Sequence, residues 1–129
     1  MSNHNSSSKE HKSSVRSWAY LRDSSSQGQG VNQQLDQITA HCNRFGLLLD
    51  QVFIDKGVIG TGTMERNAFN DLLESITDSD NRPALLLVLD FSRISRNPND
   101  FQRYRDFLQM SGVLVHSITD SLPDVVVGA

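Results

Sequence analysis

The sequence predicts an α/β domain: an open, mostly parallel sheet flanked by helices in three layers. Three observations lead there. Short β-prone runs alternate with helical apolar patterns in the order β-α-β-α-β-α-β. The run from Ala84 to Leu89 is apolar throughout, as a central parallel strand covered on both faces has to be. Polar clusters rich in Arg and Ser follow the first and third strands directly, where open parallel sheets gather their functional groups.

The elements follow in order. Residues 1–14 are serine-rich and lack apolar periodicity, so they cannot bury enough surface to offset their ordering entropy and are expected to form a disordered arm. The folded domain is expected over 15–120. Val15, Trp18, Ala19, Tyr20 and Leu21 make the first strand, which runs into Arg22-Asp23-Ser24-Ser25-Ser26 and a loop at Gln27–Gly30. From about Asn32, Leu35, Ile38, Cys42 and Phe45 step by three and four, which places them on one helical face, and Gly46 is the stop. Leu47–Asp55 is the second strand, followed by a glycine-bearing loop over Asp55–Thr63. A second helix is expected from Glu65 or Arg66 to Ile76, with Phe69, Leu72, Leu73 and Ile76 inward, then a polar turn from Thr77 to Pro83. After the Ala84–Leu89 strand and the polar stretch Asp90–Arg96, Asn97 has the chemistry of an N-cap, with Pro98 at the first helical position and Asp100 at the third. Phe101, Tyr104, Phe107 and Leu108 mark this third helix, closed near Gly112, and Val113–Ile118 is the last strand. Residues 121–129 read as a tail.

Composition narrows the function. The 129 residues suit one domain. Twelve basic against fifteen acidic side chains give a net charge of -3, which excludes a strongly basic module that grips DNA by bulk electrostatics. A single cysteine, Cys42, excludes an internal disulfide and a cysteine-based zinc site, and its helical apolar position makes it core. No apolar run is long enough for a bilayer and no secretory signal opens the chain, so a soluble, intracellular protein without membrane partners is expected.

The polar clusters suggest a chemistry. Ser24 stands beside Arg22; Arg93 and Arg96, three apart, share one side if their segment is a helical turn; Arg66 opens the second helix. Four arginines can thus converge on one serine. Guanidiniums stay charged and match phosphate oxygens with two parallel donors, and a serine attacking a phosphodiester requires such charge on the non-bridging oxygens. The bland alternative stands beside this for each residue, a turn-forming serine or a solvated arginine. His4, His11, His41 and His116 have no metal-ligand spacing, so neither metal nor cofactor is expected. Gly57, Gly60 and Gly62 lack the Lys-Ser/Thr follower of a phosphate loop, and Trp18 and Tyr20 read as core.

The same residues resemble a family, the catalytic domain of the serine recombinases (the resolvase/invertase group). Tyr20-Leu21-Arg22-Asp23-Ser24 is similar to its Y-x-R-V-S strand end, and Gln34-Leu35-Asp36-Gln37-Ile38 to its first helix. Asp55 to Thr61 resembles its D-x-x-x-S-G loop, and Arg66-Asn67-Ala68-Phe69 with Leu72-Leu73 its R-p-x-f-x-x-L-L stretch. Leu89 to Asn97 is similar to the D-x-S-R-x-S-R-n form of some large members, and Gly112-Val113 with Ile118-Thr119-Asp120 to the closing strand. The likeness spans about residues 17–120.

The resemblance implies a resolvase-like sheet of flavodoxin-like topology and a site-specific DNA recombinase or resolvase. Ser24 is then the nucleophile that forms a 5′-phosphoserine link and frees a 3′-hydroxyl. Arg22, Arg66, Arg93 and Arg96 bind the scissile phosphate, with Gln34, Asp90 and Ser92 at the phosphate and DNA side of the site. It implies DNA as partner, a homodimer or tetramer in the full-length context, no cofactor, and a cytoplasmic, nucleoid-associated place in a bacterium or phage. Departures are Asp23 where the family prefers an apolar residue, Ser92 where many members carry Asp, Ile59 in the glycine loop where Ser is usual, and Ser25 and Ser26 adjoining the nucleophile. The family continues into a long helix and a DNA-binding domain, so a chain ending at Ala129 is expected to be part of a longer protein, a truncated product or a remnant. The competing expectation is a truncated, inactive relative that only associates with a full-length partner.

Overall fold

Four strands, β1 (Val15–Asp23), β2 (Leu47–Lys56), β3 (Leu85–Val88) and β4 (Leu114–Ser117), pair in parallel in the order β2-β1-β3-β4. Helices α1 (Val31–Phe45), α2 (Asn67–Asp78) and α3 (Pro98–Met110) connect them, and a short 3-10 turn spans Phe91–Arg93. The computed structural model describes residues 14–23, 30–56, 66–78 and 80–120. The expected arm, apart from Ser14, and the expected tail lie outside the described residues, as do Ser24 and the Gly57–Thr63 part of the glycine loop. The expected order of elements is the observed one, and the sheet is parallel throughout.

Alternation along the central strands divides the interior into two cores. Trp18 and Tyr20 of β1 point with Leu86 and Val88 of β3 toward one face, where Phe69, Leu72 and Ile76 of α2 and Leu108 of α3 cover them. Ala19, Leu21 and Leu87 point the other way, against Ile38 and Cys42 of α1. A helix layer on each face makes the three-layer arrangement, and it explains why β3 carries no polar residue. The switch in direction, from β1 outward to β2 and then across to β3, falls between β1 and β3. A crevice therefore opens at their carboxyl ends.

β2 is an edge strand with one irregularity. Its pairing with β1 slips by one residue between Ser17 and Trp18: Ser17 pairs with Leu49, and Trp18 with Gln51. Leu47 and Leu49 pack with the α1-side core, whereas Phe53, also odd-numbered, packs with the α2-side core. The extra residue has inverted which side each side chain takes.

The helix ends agree with their chemistry. Asn97 accepts hydrogen bonds through its side chain from the backbone N–H of Asn99 (2.9 Å) and Asp100 (3.0 Å), with Pro98 opening α3. Gly46 ends α1 at φ 71°, in the left-handed region, and its N–H bonds to the carbonyl of Cys42. Two of the apolar residues that mark these helices are surface-exposed. Phe45, at the last helical position, is 56% exposed: its ring lies 4.7 Å from that of His41, with the Arg44 guanidinium 5.2 Å away. Phe107 is 37% exposed, and only Leu108 of α3 is fully buried, with Phe101 and Tyr104 packed at the core margin. No helix among the described residues is long and apolar enough to cross a membrane.

Candidate active site

The crevice is organised around one backbone oxygen. β1 ends at Arg22-Asp23, and the carbonyl of Arg22 accepts hydrogen bonds from Gln34 Nε2 (3.1 Å) and from Arg93 Nη1 (2.9 Å). Gln34 stands in the first turn of α1 and is fully buried. One main-chain group thus ties the end of the first strand to the first helix and to the turn after the third strand.

That turn is shaped by Asp90. Its carboxylate caps the 3-10 segment, accepting from the backbone N–H (3.1 Å) and the hydroxyl of Ser92, and lies 3.4 Å from Arg93 Nε. Phe91 N donates to Asp120 at 2.8 Å, holding the turn against the end of the last strand. Ile94 is wholly buried in the α2-side core. It anchors the middle of Ser92-Arg93-Ile94-Ser95-Arg96, so the polar residues on either side are presented outward.

Arg66 precedes α2 and reaches across. Its Nη1 donates to the carbonyl of Ile94 (2.8 Å), and its Nη2 to the carbonyl of Arg93 (3.1 Å) and to the Tyr20 hydroxyl (3.3 Å). The guanidinium carbon lies 4.1 Å from the centre of the Phe69 ring, 5.4 Å from that of Tyr20 and 5.9 Å from that of Tyr104. This is a cation held among three aromatic rings. The Tyr20 hydroxyl donates in turn to Asp55 Oδ2 at 2.7 Å. Asp55, at the end of β2, also accepts from the backbone N–H of Ala68 (2.9 Å) and Phe69 (3.1 Å), so a carboxylate from a strand caps α2 in place of a local residue.

Charges respond to this setting. Burial pushes the Tyr20 hydroxyl up to about 12; the bond from Arg66 opposes this and the Asp55 carboxylate adds to it. Burial, then the Arg66 charge, pulls the Arg22 guanidinium below its usual value, with Arg96 acting in the same sense. Arg22 remains a cation at neutral pH.

The result is a recess of about 320 Å³ lined by Arg22, Arg66, Ser92, Arg93, Ser95 and Arg96. The four arginines named from the sequence are all brought to one place, with Ser92 beside them. Gln34 and Asp90 stand behind the lining, bonded to the groups that form it. Ser24 follows β1 by one residue and lies outside the described residues. Asp23 pairs in register with Lys56. Three contributors were not singled out: Ser95 in the lining, and Tyr20 and Asp55, which connect Arg66 to β1 and β2. The D-x-x-x-S-G likeness already contained Asp55, but only the register opposing Arg22 to Asp55 tells that it belongs to the site.

Comparison with known proteins gives the site its context. The family model described as Resolvase, N terminal domain, matches residues 18–125. The fold is similar to that of the N-terminal catalytic domain of TP901-1 integrase, at 23% identity and a TM-score of 0.72, over 88% of this chain and 85% of that one. It is similar to a resolvase family site-specific recombinase from Streptococcus pneumoniae, at 23% identity and a TM-score of 0.76, over 84% and 74% of the two chains. The C-terminal catalytic domain of ISC1926 TnpA, an IS607-like serine recombinase, aligns at 18% identity and a TM-score of 0.67, over 88% and 74%. No match was found among curated proteins. At such identities the structures speak for the fold, while the family model covers most of the sequence, including the strand end, the Arg66 stretch and the arginine turn: the chain belongs to the resolvase N-terminal domain family, the catalytic domain of the serine recombinases.

Proposed function

We propose that the arginine recess is the phosphate site of this chain's recombinase chemistry and that Ser24 is its nucleophile. The family cuts and rejoins DNA through a serine-bound phosphate. In this reading the Ser24 hydroxyl oxygen attacks the phosphorus of a phosphodiester, the 3′ oxygen leaves, and the serine proton ends on that oxygen as the free 3′-hydroxyl. The 5′ end stays on the protein as a phosphoserine ester. Reversal, with a 3′-hydroxyl of the exchanged strand attacking the ester, restores DNA and serine without an external energy source, because each step exchanges one phosphoester bond for another.

The convergence of Arg22, Arg66, Arg93 and Arg96 on one recess carries this reading. The pentacoordinate transition state gathers negative charge on its non-bridging oxygens, and fixed guanidiniums in a partly dehydrated crevice stabilise it more than they would in water. Gln34 and Asp90 act as positioning residues, the first through the Arg22 carbonyl and the second through the turn that carries Ser92 and Arg93. Serine recombinase domains act on DNA and oligomerise. For this chain we take DNA as the substrate and assembly into a dimer or tetramer as the working state, in the cytoplasm at the nucleoid.

The test is covalent capture. The chain, fused to a sequence-specific DNA-binding domain, is incubated with nicked DNA carrying that domain's sites, and denatured products are separated by gel. A protein–DNA adduct is expected, absent in Ser24→Ala and reduced by two or more orders of magnitude in Arg93→Ala, in line with the loss of a transition-state donor. No adduct from the parent, or an adduct that survives Ser24→Ala, overturns the reading.

A further inference from the structure

We propose that His41 and His116 form a two-histidine site for a nitrogen-seeking transition-metal dication such as zinc. The residues are 75 positions apart, so no ligand spacing announces them, yet the fold sets their Nε2 atoms 3.2 Å from each other. His116 pairs in register with Leu87, a residue of the α1-side core, so its ring emerges on the side of the sheet that α1 covers. His41 comes from the third turn of α1 to meet it, and the Phe45 ring, 4.7 Å away, limits its rotation.

The geometry accommodates a shared ion as well as a hydrogen bond between the rings. Each ring centre lies roughly 1.1 Å behind its nitrogen, so a straight N–H···N bond of this length would separate the centres by about 5.4 Å. The centres are 5.1 Å apart, with the planes at 40°. The two nitrogen directions are therefore angled rather than collinear. An ion about 2.0–2.1 Å from each nitrogen at a tetrahedral angle sets the nitrogens about 3.3–3.4 Å apart. The observed separation needs only a small adjustment.

The protonation state suits a ligand pair. Burial lowers the pKa of both rings, and at His41 the neighbouring His116 and Arg44 lower it further, so both present neutral imidazoles at neutral pH. Calcium and magnesium take oxygen ligands, whereas imidazole nitrogen suits zinc and copper, so the pair selects by ligand type, against the opposing charge of Arg44. No group of three or more His, Cys, Asp or Glu side chains suited to a metal exists among the described residues. The pair thus supplies two ligands, and water or an external anion completes the shell. Bound there, the ion would fasten the C-terminal half of α1 to the edge strand β4, at a place sharing no lining residue with the arginine recess.

The test uses the full chain and zinc ion alone, with binding read by calorimetry and by thermal unfolding. One equivalent is expected to bind and to raise the melting temperature. Binding is expected to persist in His4→Gln/His11→Gln, which removes the only other histidines, and to weaken at least tenfold in His41→Gln and in His116→Gln. Equal titrations for the parent and His116→Gln, or no binding by the parent at millimolar zinc, overturn the proposal. Should the His variants fail to fold, substoichiometric copper(II) added to the parent decides it by proton resonance. Selective broadening of the His41 and His116 ring signals is expected, and broadening of His4 and His11 alone overturns it.

Discussion

Tyr20 shows how a single residue joins fold and site. Its ring fills the α2-side core while its hydroxyl sits between Asp55 and Arg66, and its proton is held up to about 12. The unfolded chain loses that proton near pH 10, so the folded state keeps a proton the unfolded state gives up. The stabilisation is complete below pH 10 and falls as pH rises from 10 toward 12, by up to about 1.4 kcal/mol per pH unit. Tyr20→Phe removes both the titration and the donor to buried Asp55. Urea unfolding should show the variant less stable by about 1–3 kcal/mol at pH 7. The gap to the parent should narrow through pH 10–12. None of this was legible from a lone tyrosine on an apolar strand, where core packing is the ordinary meaning. The arginines were legible because their charge has no place in a core and because they follow strand ends, where an open sheet gathers its chemistry.

Elements were legible in proportion to the locality of what defines them. The α3 start was complete in Asn97-Pro98-Asn99-Asp100, since a cap is a contact across three residues. Asn97→Ala should cost about 1 kcal/mol, measured as a lowered denaturant midpoint with unchanged slope. The inward face of α1 followed from its period up to Cys42 and failed at Phe45, the last helical residue, which is exposed. The start of α2 could not be read locally at all. Its cap is Asp55, supplied by a strand more than ten residues earlier in the chain. Likewise the His41–His116 approach and the one-residue slip in β2 depend on which strands become neighbours, and no local pattern encodes that.

At the scale of the whole molecule, the net charge of -3 hides a local excess: four of the twelve basic side chains meet in one recess, which a whole-chain sum cannot show. The recess is also coupled unequally to the two cores. Ile94 and Leu108 are both fully buried in the α2-side core, but only Ile94 lies within the arginine turn. Replacing either by Ala should cost about 2–5 kcal/mol of stability. Under conditions where both variants remain folded, Ile94→Ala should lose adduct formation in the covalent capture assay while Leu108→Ala retains it. Equal loss in both would mean that the assay reports global stability and not the seating of the turn.

The slip in β2 sets the terms on which this strand can change length. Asp50 is the residue by which β2 exceeds β1 in the pairing, and it faces Arg16 at the rim. Removing it would straighten the ladder and leave every later partner in place. Removing one residue from Val52 to Ile54 with the slip kept would instead turn the rest of the strand over, carrying Asp55 to the α1 side, away from Tyr20 and from the N–H groups of α2 that it caps. Relatives that differ by a single residue here should therefore differ at the slip itself, so that alignments across the family are best anchored on the carboxyl end of this strand and allowed their gap near its middle.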